Sequence, residues 1–276
     1  MQTNLLIDSL LVKPNTSKIH LTNWNPTYLK RMDKKEAEKI LNQNLMNQMS
    51  DLQYKLFADK SQSLLIILQG LSAAGKDSTI RNVMGAFNPQ SCRAIAFKAP
   101  SEEELSHDYL WRIHKLIPAK GEITVFNRSH YEDVIEVRVR KLLSQSIWSN
   151  RYTQINDFER YLHENNIKII KLFLHISKDE QKRKLEERMR NPLKQWKITK
   201  SDLTEPNYYE QYMEAYEEAL WKCSSKWAPW YIIPADIKSL RNFAVAEIIV
   251  TTLKNMKLKF PKPNFDISKY FRMDQQ

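Results

Sequence analysis

The sequence predicts an α/β fold of three layers, in which a parallel sheet is covered by helices on both faces. Short apolar runs typical of buried strands alternate with helix-length segments along the chain, and this alternation favours parallel strand pairing. The first run, Leu64–Leu68, leads into a glycine-rich turn and then into a helix. The length of 276 residues is enough for one large domain with a full apolar core.

The elements fall into a central domain with an extension at each end. Residues 1–32 have no clear period and several turn formers, so we expect an extended N-terminal arm, followed by one domain at 33–260 and an irregular tail at 261–276. The predicted strands are 64–68, 92–98, 122–126, 168–176 and 230–233. The predicted helices are 33–59, 76–87, 101–117, 129–143, 153–165, 177–190, 206–222 and 238–256. Because the carboxyl ends of parallel strands share one sheet edge, we expect the ligand site there.

The turn after the first strand has the spacing of a phosphate-binding loop, Gly70-x-x-x-x-Gly75-Lys76. Glycines let the backbone approach an anion, the N-terminus of the next helix adds partial positive charge, and Lys76 supplies a full charge. The alternative is an ordinary turn with a surface lysine. The position after the lysine usually holds Ser or Thr and here holds Asp77, so this is not a standard ATPase loop. The predicted phosphate-binding residues are Gly70, Ser72, Ala73, Ala74, Gly75, Lys76, Asp77 and Ser78.

A second polar motif, Asn127-Arg128-Ser129, ends the third strand and opens a helix. At this edge of the sheet, Arg128 would meet a phosphate in transfer and stabilise its charge as a bidentate donor. The alternative is that Asn127 and Arg128 only cap and solvate the loop. We predict Lys76, Arg128 and Asn127 as the catalytic residues.

A basic segment at about 178–204 follows the fourth strand and is interrupted by acids and by Asn191-Pro192. We predict a helical lid that closes over phosphates and excludes water. The alternative is a solvated helix with internal ion pairs. The cations assigned to the lid are Arg183, Arg188, Lys194 and Lys197.

The net charge of +11 indicates an anionic partner, which composition alone could assign to nucleic acid, a membrane surface or polyphosphate. A solvated basic surface is the simpler alternative. The two cysteines, Cys92 and Cys223, give no disulfide framework and favour a reducing cytoplasm. We expect no membrane partner, since no apolar stretch reaches spanning length, and the N-terminus lacks the pattern of a signal peptide.

Five blocks, in order, resemble the family-2 polyphosphate kinases. They are GLSAAGKDSTIRNVMGAFNP, KAPSEEELSHDYLWRIH, VFNRSHYEDV, ERMRNPLKQWK and PWYIIPADIKSLR, and the resemblance covers about residues 24–257. It implies a phosphate-loop kinase fold with a lid, magnesium as cofactor, and a homodimer or homotetramer. It also implies reversible phosphate transfer between inorganic polyphosphate and nucleotides, and the second and third blocks resemble the branch that acts on AMP as well as ADP.

Carried over by position, Lys76 matches the family's loop lysine and Arg128 the arginine of its second motif, while the four assigned cations fall in its lid. Two positions depart from the family pattern. The family's loop usually has Asp where this chain has Ser72, and its second motif often has Asp where this chain has Asn127, a familiar variant in this branch. The acids that remain nearby are Asp77, Glu132 and Asp133, of which Asp77 and Glu132 are the candidate metal ligands.

The sequence therefore favours a polyphosphate-dependent nucleotide kinase, because a long polyanionic donor needs a basic track. The expected partners are polyphosphate and a nucleotide (AMP, ADP or ATP), and nucleic acid is not expected. One alternative is an ATP-dependent nucleoside monophosphate kinase. The other is a non-catalytic polyphosphate- or nucleic-acid-binding homologue, which the exchanges at Ser72 and Asn127 would support.

Overall fold

The computed structural model describes residues 2–14, 18–29 and 32–267, in which six strands form one sheet in the order β1-β6-β5-β2-β4-β3. The strands are β1 (Leu11–Val12), β2 (Ser63–Gln69), β3 (Cys92–Ala96), β4 (Ile123–Asn127), β5 (Ile167–His175) and β6 (Trp230–Pro234). Strands β2 to β6 pair in parallel, and β1 pairs antiparallel with β6. Every residue of β2 is buried, as a central strand covered on both faces requires.

Thirteen α-helices in the described residues surround the sheet. They are α1 (Gln2–Leu10), α2 (Lys34–Ile40), α3 (Met46–Asp59), α4 (Lys76–Val83), α5 (Glu102–Leu105), α6 (Trp111–His114), α7 (Glu132–Val139), α8 (Gln145–Glu164), α9 (Lys178–Arg190), α10 (Pro192–Gln195), α11 (Lys200–Thr204), α12 (Tyr209–Cys223) and α13 (Lys238–Asn255). One group packs α13 against α2, α3 and α4, and the other packs α7, α8 and α12 together. The predicted three-layer α/β fold is confirmed.

The N-terminal segment differs from the extended arm that the sequence suggested. Residues Leu6, Ile7 and Leu10 of α1 are buried, and α1 packs on α13. Strand β1 then adds to the edge of β6. Both elements are too short to show a clear hydrophobic period in the sequence. They are stabilised by packing on the rest of the domain, which a local pattern does not report. Of the predicted tail, 261–267 contains no helix or strand and is exposed, and 268–276 lies outside the described residues.

The segment predicted as one helix at 101–117 is divided into α5 and α6. Ser101 caps α5 in the expected capping box with Glu104. The helix then stops, and the carboxylate of Asp108 accepts a hydrogen bond from the N–H of Leu110 at 2.9 Å, which forms a local turn instead of a continuous helix. Helix α8 also begins earlier than predicted, at Gln145.

Cys92 and Cys223 are both free thiols, and Cys223 is buried. Among the described residues, the helices are all too short or too polar to span a bilayer.

A fully buried ion pair joins α8 to β5 beneath the second polar motif. The Lys171 ammonium donates to the Glu159 carboxylate, to the Tyr131 hydroxyl at 2.8 Å and to the Cys223 carbonyl at 2.6 Å. Neither charged side chain of the pair is exposed. Burial alone would raise the pKa of Glu159, but Lys171 and His130 hold it below its ordinary value. The pair is therefore compensated only while both partners are present.

Replacing Lys171 with Met should lower the free energy of unfolding by about 3–5 kcal/mol, because the Glu159 carboxylate would remain buried without its counter-charge. Urea denaturation measures this change. The double variant Lys171→Met, Glu159→Leu should recover most of the loss. Lys168→Met, at a half-exposed position of the same strand, serves as the control and should change stability by about 0.5 kcal/mol or less. A loss below about 1 kcal/mol for Lys171→Met would contradict the argument.

Candidate active site

The carboxyl ends of the parallel strands open into one cavity of about 680 Å³. The residues that line it follow β2, β3, β4, β5 and β6, so the cavity extends across four strand spacings, about 19 Å. Ten of the lining residues are basic and five are acidic. The cavity is thus elongated and carries a clear excess of positive charge at the sheet edge where the sequence placed the ligand.

Two glycines shape the phosphate loop between β2 and α4. Gly70 has φ +146°, and a Cβ there would lie 2.8 Å from the carbonyl oxygen of Leu174. Gly75 has φ +102°, and a Cβ there would lie 2.2 Å from Nη1 of Arg241. A residue with a Cβ at either position would clash with these atoms, so the close contacts require glycine. As a result, α4 begins at Lys76 with its first N–H groups at the cavity.

Most of the predicted loop residues line the cavity, but not all of them do. Gly70 and Ala74 are absent from the lining, and Ala74 is fully buried. Ala73 adopts φ +63°, a left-handed conformation that is costly outside glycine. The lining residues of the loop are Ser72, Ala73, Gly75, Lys76, Asp77 and Ser78.

The Lys76 side chain lies inside the loop. Its ammonium donates to the carbonyl oxygens of Gly70 at 2.7 Å and Leu71 at 3.0 Å, and the residue is 9% exposed. Burial, and then the nearby charge of Arg128, lower the pKa of Lys76 to about 8. An anion at the loop would favour the protonated form, because it supplies the missing negative charge.

The second motif meets the phosphate loop across the cavity. The Asn127 amide donates to the Asp77 carboxylate at 2.8 Å. Arg128, at φ +65°, pairs with Glu132 at 2.7 Å, and this carboxylate raises the pKa of Arg128 further. Asn127 and Arg128 line the cavity, and Glu132 lies behind Arg128. The structure therefore brings Lys76, Asn127 and Arg128 to one place.

The basic segment forms α9, α10 and α11 along the cavity, and its four predicted cations line it. Several are held by nearby acids. Arg183 makes two hydrogen bonds to Glu180, at 2.6 and 2.7 Å. Lys194 pairs with Glu187, and Lys197 lies 4.0 Å from Asp77. Arg188 lies close enough to Asp202 to lower the pKa of that carboxyl.

Two acids that the sequence analysis missed contact Ser72. The Ser72 hydroxyl donates to Asp202, and its N–H donates to Glu205 at 2.7 Å. Gln181 donates to the same Glu205 oxygen at 2.7 Å. Burial would raise the pKa of Asp202, but hydrogen bonds from Ser72 and Thr199 bring it below its usual value; burial raises the pKa of Glu205. The signal available in the sequence was the capping box Thr199-x-x-Asp202 at the end of the lid.

The acids near the loop supply only part of a metal's ligand set. Within the described ranges, no group of three or more His, Cys, Asp or Glu side chains could hold an ion by itself. The Asp77 side chain is 64% exposed at the mouth of the loop, whereas Glu132 is engaged by Arg128. Magnesium is commonly held by one or two carboxylates together with substrate phosphates, so this donor set fits it.

Comparison with known proteins places this geometry in a family. The sequence model of the family described as Polyphosphate kinase 2 (PPK2) matches residues 31–261. The AMP/ADP-polyphosphate phosphotransferase of Meiothermus ruber is 46% identical over 228 residues, covering 83% of this chain and 84% of that protein. The ADP-polyphosphate phosphotransferase of Rhodopseudomonas palustris is 39% identical over 257 residues, covering 89% of each.

The fold agrees with a solved structure of the same family. The crystal structure of Polyphosphate Kinase 2 from Arthrobacter aurescens TC1 superposes with a TM-score of 0.90 at 39% identity, covering 95% of this chain and 94% of that one. Because the family's sequence model matches most of the chain and these relatives match more than four fifths of it, the chain belongs to the polyphosphate kinase 2 family.

Proposed function

We propose that this protein is a polyphosphate-dependent nucleotide kinase that transfers phosphate reversibly between inorganic polyphosphate and nucleoside mono- and diphosphates, with AMP and ADP as acceptors. The observation that carries the proposal is the elongated cavity, lined by ten basic and five acidic residues, at the phosphate loop. A chain of phosphates needs such a row of cations. The names of the relatives in Meiothermus ruber and Rhodopseudomonas palustris support AMP and ADP.

In the forward step, a phosphate oxygen of the nucleotide attacks the terminal phosphorus of polyphosphate. The new P–O bond lengthens the nucleotide by one phosphate, and the donor leaves one unit shorter. Lys76 and the N–H groups of the loop bind the phosphates on either side of the bond that breaks. Arg128, held by Glu132, stabilises the charge of the transferring group, and Asn127 orients Asp77. The lid cations hold the donor and exclude water.

Magnesium fits this site as the cofactor, with Asp77 as the candidate ligand and Glu132 available only if Arg128 releases it. Bound there, the ion would neutralise charge on the phosphate oxygens. The remaining protein groups act by positioning and by fixed charge.

Two other functions would give different assay results. An ATP-dependent nucleoside monophosphate kinase would use ATP in place of polyphosphate as donor. A non-catalytic homologue would bind polyphosphate or nucleic acid without turnover. The first decisive experiment is therefore transfer to AMP, ADP and guanine nucleotides with magnesium, using polyphosphate or ATP as donor. Turnover with polyphosphate supports the proposal, and binding of polyphosphate without turnover contradicts it.

We also infer from the family that the protein acts in the cytoplasm as a homodimer or homotetramer. The free thiols Cys92 and Cys223 are compatible with a reducing compartment. Light scattering of the purified full chain measures the oligomeric state.

Lys76→Ala should lower kcat/KM by about 100- to 1000-fold, because the loop would lose its ammonium charge. In the unaltered protein, polyphosphate affinity should fall as pH rises through about 8, where the free Lys76 loses its proton. Titration calorimetry over pH 6.5 to 9.5 would measure the polyphosphate affinity of the unaltered protein and of Lys76→Ala. Persistence of the same pH dependence in Lys76→Ala would assign the titration to another group.

Polyphosphate affinity should fall steeply with salt, since several cations contact a polyanion. Arg188→Gln should reduce the slope of log K against log salt by about one. Arg183→Gln should reduce it less, because a donor must first displace Glu180 from Arg183.

The matched control for these variants is Arg160→Gln on α8, an exposed arginine that also pairs with neighbouring acids, Asp157 and Glu164, and lies outside the cavity. Its slope should equal that of the unaltered protein. Equal slopes in all four proteins would show that the lid is only a solvated helix.

Ser72→Asp should lower the melting temperature by about 2–4 °C and slow transfer, because the new carboxylate would face Asp202 and Glu205. Adding Asp202→Asn to Ser72→Asp should restore part of the melting temperature and part of the transfer rate. Thermal denaturation and magnesium titration of transfer measure these effects. Faster transfer at lower magnesium in Ser72→Asp would instead mean that the loop lacks a metal ligand.

A further inference from the structure

Arg241 of α13 is a buried cation beside the phosphate loop that the roles proposed above leave unused. The residue is 2% exposed, and the ion pairs among the described residues do not include it. Burial lowers the pKa of Arg241 to about 10, so the guanidinium stays charged at neutral pH. A buried charge without a counter-charge is costly, and a ligand that supplies the counter-charge would remove that cost.

The hydrogen bonds of Arg241 are long and reach only neutral groups. Nη1 donates to the carbonyl oxygen of Ala74 at 3.4 Å, and Nη2 donates to Ser78 Oγ and Asn242 Oδ1, each at 3.2 Å. The buried Nε has no hydrogen-bond partner. A guanidinium carries five N–H donors, so two of them, including the one on Nε, are unused, and the other three are bound only to neutral groups.

The position of the guanidinium depends on Gly75. A Cβ on Gly75 would lie 2.2 Å from Nη1 and 2.6 Å from Cζ of Arg241. The absence of a side chain at this one position lets the guanidinium lie directly on the loop backbone. It therefore lines the cavity next to the N-terminus of α4, where the helix itself favours an anion.

The surroundings on the β6 side add positive charge. Lys184 and Lys238 line the same part of the cavity. The acids there are already engaged: Asp236 accepts hydrogen bonds from the N–H and hydroxyl of Ser177 at 2.9 and 2.7 Å, and Glu180 is shared between Arg183 and, at 3.4 Å, Lys184. An anion entering here meets cations whose charge those acids do not fully compensate.

This side of the cavity also lacks a surface for a nucleotide base. Among the described lining residues, Phe97 alone is aromatic, and it follows β3, at the opposite end of the sheet from β6. Bases are usually bound by stacking on flat side chains. Charge and N–H donors without such a surface fit a linear chain of phosphates.

We infer that Arg241 is a donor-binding residue, whose guanidinium binds phosphates of the polyphosphate chain on the β6 side of the loop, beyond the phosphate being transferred. This inference rests on the proposed function and deepens it. It also assigns the nucleotide to the other part of the cavity. The competing role is structural: Arg241 would only brace the loop through Ala74.

The test compares the full-length protein with Arg241→Met, Arg241→Lys and the exposed control Arg160→Met. Titration calorimetry measures the affinity for linear polyphosphate of one defined length and, separately, for AMP, and thermal denaturation measures stability. We expect Arg241→Met to weaken polyphosphate binding about tenfold or more and to reduce the salt slope by about one. The polyphosphate affinity of Arg241→Lys should lie between those of the unaltered protein and Arg241→Met, because lysine keeps the charge but lacks the planar guanidinium. AMP affinity should change less than twofold in every variant.

A loss of polyphosphate affinity alone supports the inference. Unchanged polyphosphate affinity in both Arg241 variants overturns it, and so does a loss confined to AMP or an equal loss for both ligands. Arg241→Lys keeps the question decidable if Arg241→Met does not fold. Failure of the unaltered protein to bind polyphosphate would overturn the proposed function itself, which separates the two failures.

Discussion

The close approach of the phosphate loop to its two neighbours is the constraint on which the arrangement of the site depends. Gly70 lies against the backbone of β5, and Gly75 lies against a side chain of α13. These are two of only four glycines in the chain. With the loop held between a central strand and a buried helix, the N-terminus of α4 points into the middle of the sheet edge. The second motif and the lid then meet it from either side.

Neighbouring carboxylates hold two of the cavity's arginines in position before any ligand binds. Arg128 is held by Glu132, and Arg183 is held by Glu180. The exposed pair of Arg183 with Glu180 contributes little to stability, so a polyanion can displace this acid at small cost, whereas the mostly buried Glu132 keeps Arg128 in place. The side chains nevertheless remain oriented, which lowers the entropy lost on binding. Arg241 differs because its guanidinium has no carboxylate to displace.

The predictable part of the fold and site is the part encoded by short spacings. The loop, its flanking strand and helix, and the strand-end position of Arg128 follow from local periodicity and the parallel topology. The contacts of Ser72 with Asp202 and of Gly75 with Arg241 join residues more than a hundred positions apart, and no local pattern reports them. Helix α1 was missed for a similar reason, because its burial depends on α13.

The serine at position 72 and the acids beyond the lid depend on each other. Ser72 donates through both its hydroxyl and its N–H, so it can satisfy Asp202 and Glu205 at once. Gln181 of α9 donates to Glu205 and lies 3.4 Å from the Ser72 carbonyl oxygen, which adds the first lid helix to the same network. An acceptor side chain at this position could not donate to Asp202, whereas the backbone N–H would still donate to Glu205. The Ser72 hydroxyl thus adds a hydrogen bond from the loop to Asp202, and negative charge is brought to the loop from the lid side.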